Sequence, residues 1–317
     1  MSEPEKSTSS NWEREVLEKL ALAAVQEQRR TRHWSILFKT LGFIYLFIVL
    51  FLAAGWFRSD GVAIPKAHTA LVDLQGVIAS DQISADAVIA SLQGAFEDNK
   101  TQGVILRINS PGGSPVHAGQ IYDEIKRLRA KYPDIPLYAV VDDICASGGY
   151  YVAVGADKIF VDKASIVGSI GVLMDGFGFT QTMEKLGVER RLLTAGENKG
   201  FLDPFSPVDP EQQAFAKQML EEIHGQFVAV VREGRGERLK ETPDTFSGLV
   251  WSGEKSIELG LADAYGTVES VARDVIKAED IVDYTQQDSL LDRLAGRLGA
   301  GAAKALAPFG QPGVNLR

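Results

Sequence analysis

From Thr40 to Phe57 the chain reads TLGFIYLFIVLFLAAGWF, an apolar run without a single charge. Roughly 20 such residues cross a bilayer as a helix, whereas a helix in an aqueous core carries polar positions on one side. Trp34 to Phe38 lengthen the run upstream, and the intervening Lys39 can lift its ammonium toward a helix end. Trp34 and Trp56 bracket it as interfacial aromatics do. A cleaved secretory signal would have a short basic leader and an apolar region of about 7–15 residues. Here the leader is long and the run longer, although Ala53-Ala54-Gly55 offers the small residues of a cleavage site. Arg29, Arg30, Arg32 and Lys39 crowd the N-terminal flank, while Arg58 and Asp60 cancel on the other. Positive charge stays inside, so the expectation is a single-pass anchor with its N-terminus in the cytoplasm. That divides the chain into a leader (1–33), an anchor (34–57), an exported domain (58–287) and an Ala/Gly-rich tail (288–317).

The exported part is ordinary in composition; the whole chain has 317 residues, 45% hydrophobic and 24% charged. A formal net charge of −9 argues against a nucleic-acid partner, which needs an excess of Lys and Arg. A single cysteine, Cys145, excludes an intrachain disulfide and any cysteine metal cluster. The four histidines, His33, His68, His117 and His224, lack ligand spacing, so neither metal nor cofactor is expected.

Beyond His68 short apolar runs alternate with helical periodicity. Ala70 to Gly76, Gly103 to Ile108, Pro136 to Val141 and Ile159 to Val161 read as strands. Ser84 to Phe96, His117 to Lys131 and Ser147 to Val154 read as helices. This alternation predicts an α/β fold with a parallel sheet built from βαβ units. Asp209-Pro210-Glu211-Gln212 is a helix start with a capping-box pattern. Phe215, Met219, Ile223 and Phe227 then recur every four residues, the mark of a core or subunit contact.

Ser147 falls where a strand ends and a helix begins, within Cys145-Ala146-Ser147-Gly148-Gly149. Free N–H groups at a helix start favour a developing anion, so a hydroxyl there can act as nucleophile. A serine is equally the ordinary N-cap at such a junction. The preceding strand leads into Asn109-Ser110-Pro111-Gly112-Gly113-Ser114-Pro115, whose Gly-Gly can offer backbone N–H groups to an oxyanion or form a plain turn. In a parallel sheet these two loops lie at neighbouring carboxyl ends, where ligands gather. A base is also needed. A Ser-His-Asp triad would have to recruit His117 or His68, since His224 lies deep in a helix; His117 is near the Gly-Gly loop, with no acid placed beside it. A lysine works only when neutral, a state that burial in an apolar site favours. Lys199, in Thr194-Ala195-Gly196-Glu197-Asn198-Lys199-Gly200, is one of many lysines, and spacing alone does not single it out.

The stretches ILRINSPGG, ICASGGYYVA, IVGSIGV, TAGENKGFLDPFSP and GLVWSGEKSIELGLADAYG resemble, in order, those of the signal peptide peptidase A family. The resemblance implies a Clp protease/crotonase-like fold and a Ser-Lys dyad. It places the nucleophile at Ser147 and the base at Lys199, with oxyanion donors on the backbone of Gly113 and Gly148. Ser169 takes the place of the family's serine that hydrogen-bonds the lysine amine. It further implies apolar peptides, cleaved signal peptides among them, as substrates, a bilayer met through residues 34–57, and a homo-oligomeric ring. In such rings the lysine can come from a neighbouring protomer. The implied location is the bacterial inner membrane, with the catalytic domain on the periplasmic side. A crotonase-like acyl-CoA enzyme or a non-catalytic membrane scaffold are the rival readings.

Overall fold

The computed structural model describes residues 8–53 and 67–286, and the chain divides into two units, Met1–Ile64 and Pro65–Arg317. Each is taken by itself.

In the first unit, α1 (Thr8–Ala53) is one continuous helix. Its segment Glu27–Phe51 is apolar enough to cross a membrane, and none of it is buried. At about 1.5 Å per residue, its 25 residues exceed a hydrocarbon core of roughly 30 Å. Thr31 and Thr40 donate their hydroxyls to the carbonyls of Glu27 and Ile36, both at 2.9 Å, so these polar groups are satisfied within the helix. Trp56 and the sequence boundary at Phe57 lie outside the described residues.

The second unit is built on a sheet whose strands run β1 (His68–Gln75), β2 (Thr101–Ser110), β3 (Leu137–Ala146), β4 (Lys158–Val161), β5 (Ile166–Gly168), β6 (Val250–Ser252), β7 (Ala264–Tyr265) and β8 (Ile281–Asp283). The main path is β6-β5-β3-β2-β1-β8, with β4 pairing β3 and β7 pairing β4. Every pairing is parallel except β5 with β6. Helices α2 (Ala85–Glu97), α3 (Pro115–Lys131) and α4 (Gly148–Ala153) provide the crossovers. Further along come α5 (Thr180–Leu186), α6 (Pro210–Arg235) and α7 (Gly253–Glu258).

The middle strands read as apolar runs because both faces of the sheet are covered. Val72, Leu106 and Val141 join the larger core with α2 and α3, while Leu71, Ile105 and Val140 pack on the other face against Phe160, Val268 and Val271. Elements differ from the sequence pattern where a partner extends them. Helix α3 begins at Pro115 because the Ser114 hydroxyl accepts from the His117 N–H. Strand β3 continues past Val141 to Ala146 because a second partner takes over: Tyr138 to Val140 pair with β4, then Ile144 to Ala146 pair with β5. At the start of α6, Asp209 accepts from the N–H groups of Glu211 and Gln212, but the return bond of a capping box is not made. The Gln212 amide oxygen accepts instead from the Leu202 N–H at 2.9 Å. Arg235, 1% exposed near the end of α6, grips both carboxylate oxygens of Asp263 at 2.9 Å. Burial works to raise the Asp263 carboxyl pKa, but the guanidinium fork outweighs it and holds the group below the usual range.

Candidate active site

Ser147 sits between β3 and α4 with φ 52° and ψ −123°, a region that favours glycine. A residue held there costs on the order of 1–3 kcal/mol and persists only if its surroundings fix it. Its N–H donates to the Gly168 carbonyl at 2.8 Å, and its carbonyl accepts from the Tyr151 N–H at 2.9 Å. The helix behind is pinned by the buried Tyr150, whose hydroxyl donates to the Leu261 carbonyl at 2.8 Å. The Ser147 side chain makes no capping bond to α4, so its hydroxyl is not used as an N-cap.

The Gly-Gly loop reaches the same place from the end of β2. Gly112 (φ 100°) accepts from the Ile78 N–H, and Ser114 donates to the Ile78 carbonyl, both at 2.8 Å. A Cβ on Gly112 would lie 2.6 Å from the Gly148 nitrogen and 2.7 Å from the Ser147 Cβ; one on Gly113 would lie 2.2 Å from the Ile78 oxygen. The two loops therefore touch through backbone, which only glycine permits. Among the described residues, neither the Gly113 N–H nor the Gly148 N–H has a hydrogen-bond partner. Two free donors beside a serine hydroxyl are what an oxyanion requires. Gly112→Ala is expected to lower activity by at least tenfold and to destabilise the domain by about 1–3 kcal/mol. Peptide hydrolysis and urea unfolding would check this, and wild-type values for both would contradict the close approach.

A cavity of about 540 Å³ opens over Ser147, Gly113 and Gly148 and includes Ser169. Its apolar lining comes from Tyr151, Leu173, Ile223 and Phe227. Phe227 packs against Tyr151 with ring centroids 5.1 Å apart. Half of the stripe on α6 thus forms a cavity wall, a role its spacing did not reveal, whereas Phe215 of the same stripe is exposed. Ser169 also has a positive φ, 50°, and its N–H donates to the Leu249 carbonyl at 2.8 Å.

The remaining candidates are elsewhere. His117 is not among the cavity's lining residues. His68 opens β1, at the amino end of the strand, with its Nε2 3.0 Å from the Tyr284 hydroxyl. Cys145 is fully buried, and burial pushes its thiol pKa up, away from thiolate chemistry. Lys199 is exposed and does not line the cavity. Between Leu173 and Val208 its segment presents an unusual set of exposed apolar side chains, with Phe177, Leu186 and Leu193 each more than 70% accessible. One chain brings Ser147, Gly113, Gly148 and Ser169 together and leaves Lys199 outside.

A parallel sheet with glycine loops converging at its carboxyl ends is the architecture of the Clp-type proteases, and residues 67–166 match the Clp protease family model. Residues 129–281 match the model of peptidase family S49. Over 251 residues the chain is 31% identical to a protein of Synechocystis sp. described as a protease, covering 74% of this chain and 88% of that one. It is 30% identical over 205 residues to an Enterococcus faecium protein described as a signal peptide peptidase SppA, covering 65% of this chain and 59% of that one. The chain belongs to peptidase family S49 and is SppA-like within it. A Brucella melitensis protein named Na(+)/H(+) antiporter NhaA is 41% identical over 219 residues, 68% of this chain. The match spans only 30% of that protein's length.

Proposed function

We propose that this chain is a membrane-anchored serine endopeptidase that cuts apolar peptides, cleaved signal peptides among them. The observation that carries this reading is a serine hydroxyl free of capping duty beside two unpartnered backbone N–H groups. Ser147 attacks the scissile carbonyl while the N–H groups of Gly113 and Gly148 receive the oxyanion. Lys199 accepts the Ser147 proton during attack, and the resulting ammonium returns it to the leaving amine. Water then enters the acyl-enzyme by the same route, with the lysine again as base. Because Lys199 is exposed and outside the cavity, the reading assigns it to the Ser147 of a neighbouring copy, with the apolar segment around it covered in a homo-oligomeric ring. The apolar lining from Leu173, Ile223 and Phe227 suits apolar substrate side chains.

The basic flank at Arg29, Arg30 and Arg32 keeps the leader in the cytoplasm and sends the catalytic domain across a bacterial inner membrane. The domain limits follow the same reading, with the anchor at 34–57, the protease at 58–287 and the tail beyond.

A fluorophosphonate probe on the full chain in detergent, followed by peptide mapping, tests the central claim. The expected adduct is on Ser147. Labelling elsewhere, or none in a preparation that hydrolyses peptides, would remove the serine from the mechanism. Turnover of an acyl-CoA thioester in its place would favour the crotonase-like rival.

A further inference from the structure

The mechanism leaves one imidazole near the cavity unused. His224 lies on α6 between Ile223 and Gln226-Phe227, which line the cavity. Its Nε2 is 3.1 Å from the carbonyl oxygen of Ile170, the fully buried residue after Ser169. A carbonyl only accepts, so Nε2 carries the proton and donates. The imidazole thereby ties a helix that walls the cavity to a turn that carries a cavity hydroxyl.

That turn needs holding. Ser169 is in the left-handed region at φ 50°, where a serine is strained. Its own N–H is held by the Leu249 carbonyl at 2.8 Å, and its carbonyl accepts from the Gly171 N–H at 2.9 Å. Both bonds are backbone to backbone. Among the described residues, the His224–Ile170 bond is the only side-chain hydrogen bond at Ile170, and it comes from α6, another element of the cavity lining.

We infer that His224 is a positioning residue: its imidazole latches α6 to the Ser169 turn and so fixes where the Ser169 hydroxyl stands relative to Ser147. The inference rests on the reading of Ser147 as nucleophile and adds a residue to it. Without the latch the turn relaxes toward an unstrained backbone, Ser169 swings from its place, and the α6 wall loses its registration on the site. The hydroxyl that would steady the lysine amine is then misplaced, so the loss falls on kcat more than on KM. Displacements of about 1 Å at such sites cost up to a hundredfold in rate.

The test uses the full chain in detergent with His224→Leu and His224→Gln, each alone and combined with Ser169→Ala. Readouts are kcat and KM on an apolar peptide, the rate of fluorophosphonate labelling at Ser147, and the Tm. His224→Leu is expected to lower kcat and labelling roughly ten- to a hundredfold with KM within about threefold. His224→Gln, whose amide nitrogen can donate in place of Nε2, should restore most of that loss. Because His224 acts through Ser169, adding His224→Leu to Ser169→Ala should cost little further activity. Should His224→Leu fail to fold, His224→Asn, whose shorter amide falls short of Ile170, carries the same expectation. Wild-type kcat in the variants lacking the bond, no rescue by His224→Gln at an unchanged Tm, or losses that multiply with Ser169→Ala would each overturn the latch. A wild-type chain that is active yet unlabelled at Ser147 would instead overturn the nucleophile assignment and the latch with it.

Discussion

Ser147→Ala is expected to abolish hydrolysis of apolar peptides, by a factor on the order of 10⁴ or more, while the domain stays folded. The Ser147 hydroxyl caps nothing in α4, so its removal takes no hydrogen bond from the helix start. Alanine meets the same backbone strain at φ 52°, and the bonds from the Ser147 N–H and carbonyl are retained because they are backbone. Thermal unfolding should therefore shift little, by an amount corresponding to roughly 0.5 kcal/mol or less. Cys145→Ala is the control. It leaves a small cavity beneath the site but removes no reactive group, since the thiol is fully buried and its pKa raised. Hydrolysis by the purified Ser147→Ala chain near the wild-type rate would sink the assignment. So would a complete loss in Cys145→Ala with the fold intact.

Lys199→Arg is expected to be nearly inactive although it preserves charge, because a guanidinium does not give up its proton at usable pH. Lys199→Ala should lose activity to a comparable degree, on the order of a thousandfold. Neither change should disturb folding, since Lys199 is exposed and its described bond is through the backbone, from its N–H to the Gly196 carbonyl. The more informative experiment mixes the two inactive chains, Ser147→Ala with Lys199→Ala. If one copy lends its lysine to another's serine, co-assembly restores part of the activity, because some sites then pair an intact Ser147 with an intact Lys199. A mixed oligomer verified by tags that shows no rescue would put both residues of a working site in one chain. Wild-type turnover by Lys199→Arg would remove lysine from the chemistry altogether.

The order of strands and helices was readable because buried parallel strands are apolar throughout and the crossover helices are amphipathic. Local patterns fail where an element's length depends on a distant partner. Nothing in Asp142-Asp143-Ile144 announces a strand, and it is the edge offered by Ile166 to Gly168 that carries β3 on through Ile144 to Ala146. Gln212 looks like half of a capping box, but Leu202 competes for its amide, a contact ten residues away. At the site, the two glycine loops were visible as loops, and their contact followed from parallel topology. The left-handed backbone of Ser147 and Ser169 was not visible, because serine does not advertise a positive φ as glycine does. The α6 wall was half visible: the four-residue stripe marked an apolar face without saying that Ile223 and Phe227 look into a cavity while Phe215 faces outward into solvent.

Strand β3 changes neighbour midway, from β4 to β5, and this divides its duties. The first half, from Tyr138 to Val140, is locked between β2 and β4 in the middle of the sheet. The second half leads to the site, held by β2 where Cys145 lies opposite Ser110 and by β5, a three-residue strand whose other strand partner among the described residues is the equally short, antiparallel β6. Opening that small flap breaks few bonds, whereas opening the first half breaks the core. The short β5–β6 pair, whose Gly168 carbonyl holds the Ser147 N–H, is therefore the part of the sheet where a local opening disturbs the serine first, while the first half of β3 stays fixed between β2 and β4.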